Sequence, residues 1–154
     1  MERALGQLMR GIERVLAYAL LATIALNFAN VVGRYLFGRT LVGADELQTY
    51  TMVWIAFLGA AVVAWRGEHL RMDILLKLWR PGVQRAFRLL EAVLVLVVVG
   101  FALWQSVRYV ASMLRLGAAS PMAQVPMWLP HSGVAVGLAL LILAALWRFA
   151  RRGS

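Results

Sequence analysis

Four long apolar stretches, separated by short polar segments, dominate this chain of 154 residues. They lie at about residues 15–33, 47–65, 89–107 and 127–147, and none carries a charge near its middle. An α-helix needs roughly 20 residues to cross about 30 Å of hydrocarbon, so each stretch is long enough to span a bilayer. The pattern predicts an all-α integral membrane protein, with four transmembrane helices that form a single domain over residues 1–154.

The segment between the second and third spans is amphipathic instead of uniformly apolar. Read as a helix over about residues 68–80, it has one narrow polar face, formed by His69, Asp73, Lys77 and Arg80. Apolar side chains cover most of the remaining surface, which is typical of a helix that lies in the plane of the membrane interface. We therefore expect an interfacial amphipathic helix here, ended by the proline at position 81. A short solvated loop is the alternative.

The distribution of basic residues orients the four spans. Of the sixteen lysines and arginines, twelve lie in the two tails and in the segment between spans two and three. The remaining four, expected on the opposite side, are Arg34, Arg39, Arg108 and Arg115. Because basic residues concentrate on the cytoplasmic side of membrane proteins, both termini and the interfacial helix are expected to be cytoplasmic.

A stripe of polar residues interrupts the first span. Thr23, Asn27, Asn30 and Arg34 are spaced by 4, 3 and 4 residues, which places them on one face of an α-helix. Amide groups in hydrocarbon are costly unless they are hydrogen-bonded. The stripe therefore predicts a neighbouring helix, either from this chain or from a partner, and the sequence leaves both possibilities open.

Charged residues also meet where the first span ends and the second begins. Arg34 is expected near Asp45 and Glu46, where an ion pair and a contact with lipid phosphate are two open interpretations. In the interfacial segment, His69 and Asp73 are one helical turn apart, and we interpret them as hydrogen-bonding groups that fix this helix to a neighbour. Together with the stripe on span one, these residues are candidates for helix packing or for a partner interface.

The second span carries a ladder of small residues. Ala56, Ala60 and Ala64 follow one another at intervals of four, with Gly59 beside them. Small residues at this spacing allow two transmembrane helices to approach closely. We therefore expect this side of span two to contact another helix.

Composition and residue placement exclude several classes of function. The sequence has no cysteine, so disulfides and thiolate chemistry are absent. His69 and His131 are expected on opposite sides of the membrane and cannot bind the same haem iron. The net charge of +9 is divided between apolar runs and does not form the solvated basic face of a nucleic-acid-binding protein. We predict no catalytic, cofactor-binding or metal-binding residue in this chain, and no nucleic-acid partner.

The positions of the carboxylates bear on transport by this chain alone. A carboxylate in the middle of a span is typical of small proton-coupled transporters. Here Glu13 and Glu91 lie at the cytoplasmic ends of spans one and three, and Asp45 and Glu46 lie at the outer start of span two. This placement argues against a small independent proton-coupled exporter, which stays an alternative, as does a membrane anchor subunit of a redox complex.

Five stretches of the sequence share a recognisable order and spacing. They are residues 27–37 (NFANVVGRYLF), 45–47 (DEL), 54–61 (WIAFLGAA), 66–73 (RGEHLRMD) and 126–130 (PMWLP). With the four spans, they resemble the small membrane subunit of tripartite ATP-independent periplasmic (TRAP) transporters, the DctQ-like family. One departure is Ala44, near which many members carry a tryptophan.

The resemblance implies a role within a larger assembly. The family's small subunit pairs with a large multi-span permease, which holds the substrate and sodium sites, and a periplasmic binding protein delivers an organic acid. The small subunit has no catalytic residues or cofactor of its own and is thought to brace the scaffold of the large subunit. The chain is therefore expected to be a non-catalytic small permease subunit for sodium-coupled uptake, surrounded by lipid in the bacterial inner membrane.

Overall fold

The computed structural model describes residues 2–66 and 81–152 of the chain. In chain order, the helices are α1 (Glu2–Phe37), α2 (Ala44–Arg66), α3 (Pro81–Leu116) and α4 (Trp128–Arg152). Each contains an apolar stretch long enough to cross a membrane, which confirms the prediction of an all-α membrane protein with four spans. The predicted interfacial helix over residues 68–80, with His69 and Asp73, lies outside the described residues.

The helices are longer than the apolar stretches that predicted them. Both α1 and α3 contain 36 residues. At 1.5 Å per residue this length is about 54 Å, well beyond the roughly 30 Å of a hydrocarbon layer, so both helices continue outside it. Pro81 is the first residue of α3, because its fixed φ and missing N–H suit the first helical position. Whether it also ends a helix before it falls on residues outside the described ranges.

The helices pack side by side in the spatial order α1, α2, α4, α3. The helix α2 packs against α1 and α4, and α4 also packs against α3, whereas no other pair of the described helices forms an extensive interface. The chain is therefore an open row of helices with α1 and α3 at its edges. The apolar stretch of α3 buries none of its residues within the chain, whereas that of α4 buries 28%.

Two glycines of α4 allow a close contact with α2. A Cβ atom placed on Gly137 would lie 2.5 Å from Cβ of Phe57 and 2.7 Å from its carbonyl carbon. A Cβ atom on Gly133 would lie 2.7 Å from the ring of Trp54. These two α4 glycines therefore let α2 approach to a distance that any side chain would prevent.

The small residues that we expected to mediate a close contact on α2 do so only in part. Ala64 is 4% exposed and its neighbour in the sequence ladder, Ala60, is partly exposed. Ala56 is exposed. The ladder is not one continuous contact surface, because the α2 side of the glycine contact is formed by the ring of Trp54 and by the backbone and Cβ atom of Phe57.

The two ends of the row are held by different interactions. We call the end where residues 38–43 and 117–127 connect the helices the loop end, and the opposite end the terminal end. At the terminal end, the rings of Trp65 and Trp147 stack with their centroids 6.0 Å apart, which joins α2 to α4. Arg66 forms an ion pair with Glu13 of α1, although the two side chains are 42% and 45% exposed. Exposed pairs of this kind contribute roughly 0–1 kcal/mol.

The glycine contact leads to a direct test of the packing. We expect Gly137→Ala to lower the free energy of unfolding by about 1–3 kcal/mol, because the added methyl group forces the α2 backbone away. Gly100→Ala in α3 is the matched control, since nothing lies within 4 Å of its Cβ position. The control is expected to be neutral, or more stable by up to about 1 kcal/mol. Thermal unfolding in detergent, followed by tryptophan fluorescence, measures both variants, and equal midpoints would contradict the close contact.

Candidate functional site

The polar stripe of α1 is divided between two environments. Thr23 and Asn30 are each only 5% exposed. Asn27 and Arg34 are exposed. The residues that the sequence grouped on one face therefore differ in burial, and Asn27 and Asn30 are the two that reach α2 by hydrogen bonds.

Asn30 is bonded at both ends of its amide within the chain. Its Nδ2 donates to Oδ1 of Asp45 at 3.3 Å, and its Oδ1 accepts the N–H of Leu41 at 3.0 Å. One side chain thus ties α1 to the loop of residues 38–43 and to the first turn of α2. The hydroxyl of Thr23 donates to the carbonyl of Ala19 at 2.8 Å, so it is satisfied within its own helix.

Asn27 reaches α2 through a residue that the sequence reasoning did not select. Its Nδ2 donates to Oε1 of Gln48 at 2.8 Å, and Gln48 is 8% exposed. A signal was present in the sequence. Gln48 follows Asp45 by three residues, and Asn30 follows Asn27 by three, so two antiparallel helices present matching polar pairs. We call these four residues, Asn27, Asn30, Asp45 and Gln48, the amide seam.

Arg34 does not form the ion pair that we considered. Within residues 2–66 and 81–152, neither Asp45 nor Glu46 is paired with it. Asp45 instead accepts from Asn30 in the amide seam. The exposed position of Arg34 is compatible with the other interpretation, a contact with lipid phosphate.

Glu46, in the first turn of α2, binds the longer of the two connecting loops. Its Oε2 accepts the N–H of Ala123 at 2.7 Å and that of Met122 at 3.3 Å. Beside it, Gly43 has φ +82°, and a Cβ atom there would lie 2.9 Å from Cα of Ala123. Glycine is required at this position by both its conformation and the close approach. We call the joined loops, residues 38–43 and 117–127, the loop cap.

The longer loop of the cap is itself ordered by backbone hydrogen bonds. The N–H of Ser120 donates to the Val125 carbonyl at 2.9 Å, and the N–H of Met127 donates to the Ala118 carbonyl at 2.8 Å. Ser120 is fully buried, and its Oγ accepts the N–H of Val125 at 3.2 Å. Periodicity did not predict this small hairpin, because it is too short to show a strand pattern.

The histidine of α4 lies near the loop end, between α3 and α4. The ring of His131 meets that of Tyr109 edge-on, with the centroids 4.5 Å apart. On α3, the guanidinium of Arg108 lies 4.9 Å from the ring centroid of Trp104. Within the described residues, no group of three or more histidine, aspartate or glutamate side chains is close enough to hold a metal ion.

The comparison with known families gives a clear match. The profile described as "Tripartite ATP-independent periplasmic transporters, DctQ component" matches residues 23–153. The chain belongs to this family. Membership of the DctQ-component family confirms the resemblance seen in the sequence, and it makes the chain a transport component and not an enzyme. The four apolar helices and this family together establish a multi-pass membrane protein.

Curated relatives of this DctQ-component chain come from several bacteria. It is 27% identical over 135 residues to the ectoine TRAP transporter small permease protein TeaB of Halomonas elongata, covering 84% of this chain and 70% of the relative. It is 31% identical over 120 residues to the C4-dicarboxylate TRAP transporter small permease protein DctQ of Rhodobacter capsulatus, covering 76% and 53%. A putative TRAP transporter small permease protein of Haemophilus influenzae is 28% identical, covering 63% and 61%. The matches thus span between about half and 70% of the relatives' own length.

The loop cap of the DctQ-component chain can be tested by removing its central acceptor. In Glu46→Ala, the amides of Met122 and Ala123 lose their charged acceptor. We expect hydrogen–deuterium exchange at these amides to become severalfold faster, because an amide that has lost its acceptor opens to solvent more often. Glu46→Gln keeps one acceptor oxygen and should show a smaller increase. Unchanged exchange in Glu46→Ala would mean that the loops are held by other contacts.

Proposed function

We propose that this chain is the small permease subunit of a TRAP transporter and that it braces a large permease subunit during solute uptake. The observation that carries the proposal is the open row of helices. A substrate pathway needs walls on several sides, and the described helices supply a single layer. The bonded polar side chains within this layer join helices and loops to one another and do not converge on an enclosed site.

In the proposed transport cycle, partner proteins deliver, bind and move the solute. A large multi-span permease would hold the solute and the coupling sodium ion, and a periplasmic binding protein would deliver the solute. The relatives are named for ectoine and for C4-dicarboxylates, which supports a small organic acid as the solute. No cofactor is assigned to the small subunit.

The proposed orientation follows the basic residues. With twelve of the sixteen in residues 1–14, 66–88 and 148–154, the terminal end would face the cytoplasm. The loop cap would then face the periplasm, on the side from which a binding protein approaches the bacterial inner membrane. This orientation gives the cap a second use, as part of the surface on which the binding protein docks.

Assembly and transport distinguish a bracing subunit from an independent carrier. We expect the chain to copurify with the large permease encoded in the same genome when the two are expressed together. Proteoliposomes that contain both, supplied with the binding protein and an inward sodium gradient, should accumulate radiolabelled succinate or ectoine. Vesicles that contain only this chain should accumulate neither. Solute accumulation by this chain alone would overturn the proposal.

The absence of native cysteine makes the orientation simple to measure. Val42 is 80% exposed in the loop cap, so Val42→Cys should react with a membrane-impermeant maleimide added to cells with a permeabilised outer membrane. Ser154→Cys, at the C-terminus, should react only after the inner membrane is broken. The reverse labelling pattern would show that the chain has the opposite orientation.

A further inference from the structure

Among the residues that the structure describes, one buried side-chain nitrogen has no hydrogen-bond partner. Nε2 of Gln48 is buried, and it makes no hydrogen bond with any described residue. The other half of this amide is occupied, because Oε1 accepts from Asn27. Membrane lipid tails offer no acceptor, so a buried N–H₂ group in this helix is unfavourable until another group provides one.

Turning the side-chain amides of Asn27 and Gln48 by 180° does not give the unpaired half of the Gln48 amide a partner. If both amides were turned by 180°, Nε2 of Gln48 would donate to Oδ1 of Asn27, and Gln48 would bury an oxygen without a donor. Either arrangement leaves half of the Gln48 amide unsatisfied. The pair therefore needs a third polar group.

The exposed side of this pair lies on a regular line of residues along α1. The line consists of Leu20, Ile24, Asn27, Val31 and Arg34, spaced by 4, 3, 4 and 3 residues. All five are exposed, and the three apolar members are between 43% and 56% exposed. Alternating steps of three and four are the spacing by which one helix packs along another, and Asn27 stands at the centre of the line.

We propose that this line, together with the Gln48 amide behind it, is the docking surface for a transmembrane helix of the large permease, which supplies a hydrogen-bond acceptor to Gln48. The inference rests on the proposed function and specifies where the two subunits meet. When the helix docks, the exposed Asn27 side chain turns and gives the Gln48 amide access to a carbonyl, hydroxyl or carboxylate oxygen of the partner. The apolar residues on either side of Asn27 pack against the same helix.

The charge at one end of the line adds a second element of recognition. Arg34 is exposed and has no ion pair with a described residue, because the nearby acids are used in the amide seam and the loop cap. The surface thus presents apolar side chains, a central amide donor and a cation at the loop end. A lipid tail matches only the apolar part, whereas a protein helix with an oxygen acceptor matches the centre as well.

Photo-crosslinking maps this surface in the intact complex. Single cysteines at Ile24 or Val31 are labelled with benzophenone maleimide and irradiated in membranes that contain the large permease. Ala22→Cys and Ala29→Cys are the matched controls, since both are exposed on the other side of α1 at the same heights. We expect the first pair to crosslink to the permease with at least fivefold higher yield. Equal yields, a preference for the control positions, or crosslinks only between two copies of this chain would overturn the proposal.

The role of the amide is measured separately by affinity. Gln48→Met keeps the length of the side chain and removes both polar atoms, and we expect it to weaken binding to the purified permease in nanodiscs by about 3- to 20-fold. Gln105→Met, which removes an exposed amide from α3, should leave the affinity unchanged. Wild-type affinity in Gln48→Met would show that the partner provides no acceptor and that the amide is satisfied by trapped water.

The outcomes separate this inference from the function on which it rests. If the wild-type chain binds the permease but crosslinks to it from other helices, the proposed function stands and the proposed surface is wrong. If the wild-type chain does not bind the permease at all, the proposed function fails, and the surface fails with it.

Discussion

Hydrocarbon offers no hydrogen bonds, and the positions of the polar side chains in this protein follow from that constraint. The hydroxyls of Thr23, Thr49 and Thr51 each donate to a carbonyl one turn earlier in their own helix and need no neighbour. A side-chain amide has two donors and two acceptor sites, which one helix does not satisfy. Asn27 and Asn30 therefore require a second helix. The pairing of α1 with α2, and the position of the loop between them, are consequences of that requirement.

The helix α2 is central to the row because it makes a different kind of contact with each of its two neighbours. Towards α1 it offers the polar groups of the amide seam, and towards α4 it places the ring of Trp54 and the backbone of Phe57 against two glycines. At its two ends, Glu46 binds the loop cap and Trp65 stacks on α4. The outer helices α1 and α3 are each held extensively from one side only. In this layer α2 and α4 each pack against two neighbouring helices, whereas α1 and α3 each leave one side uncovered. Such uncovered sides suit a subunit that supports a larger partner.

The sequence predicted the features that depend on residues close together in the chain. It did not predict the features that depend on which helices are neighbours in the fold. Apolar length and the spacing of Thr23, Asn27, Asn30 and Arg34 are local properties, so the spans and the stripe were accessible from the pattern. The order of the helices was not, because lipid and leucine are equally apolar and hydropathy does not mark the packed face. Gln48 was missed because its signal is a match between two helices: the spacing of Asp45 and Gln48 equals that of Asn27 and Asn30, and this match has meaning only once α1 and α2 are known to be neighbours. The family was recognised from the order of its sequence motifs. That order is inherited from a common ancestor and does not follow from the packing of the helices.

The loop cap also implies an order of events during biogenesis. Its acceptor, Glu46, stands on the second helix to be synthesised, whereas the amides that it binds lie between the third and fourth. Residues 117–127 reach the side of the membrane on which Glu46 lies only after α3 has been translated and inserted. Until then the carboxylate has neither of these two amides to bind. Closure of the cap therefore follows the insertion of α3 and does not depend on α4.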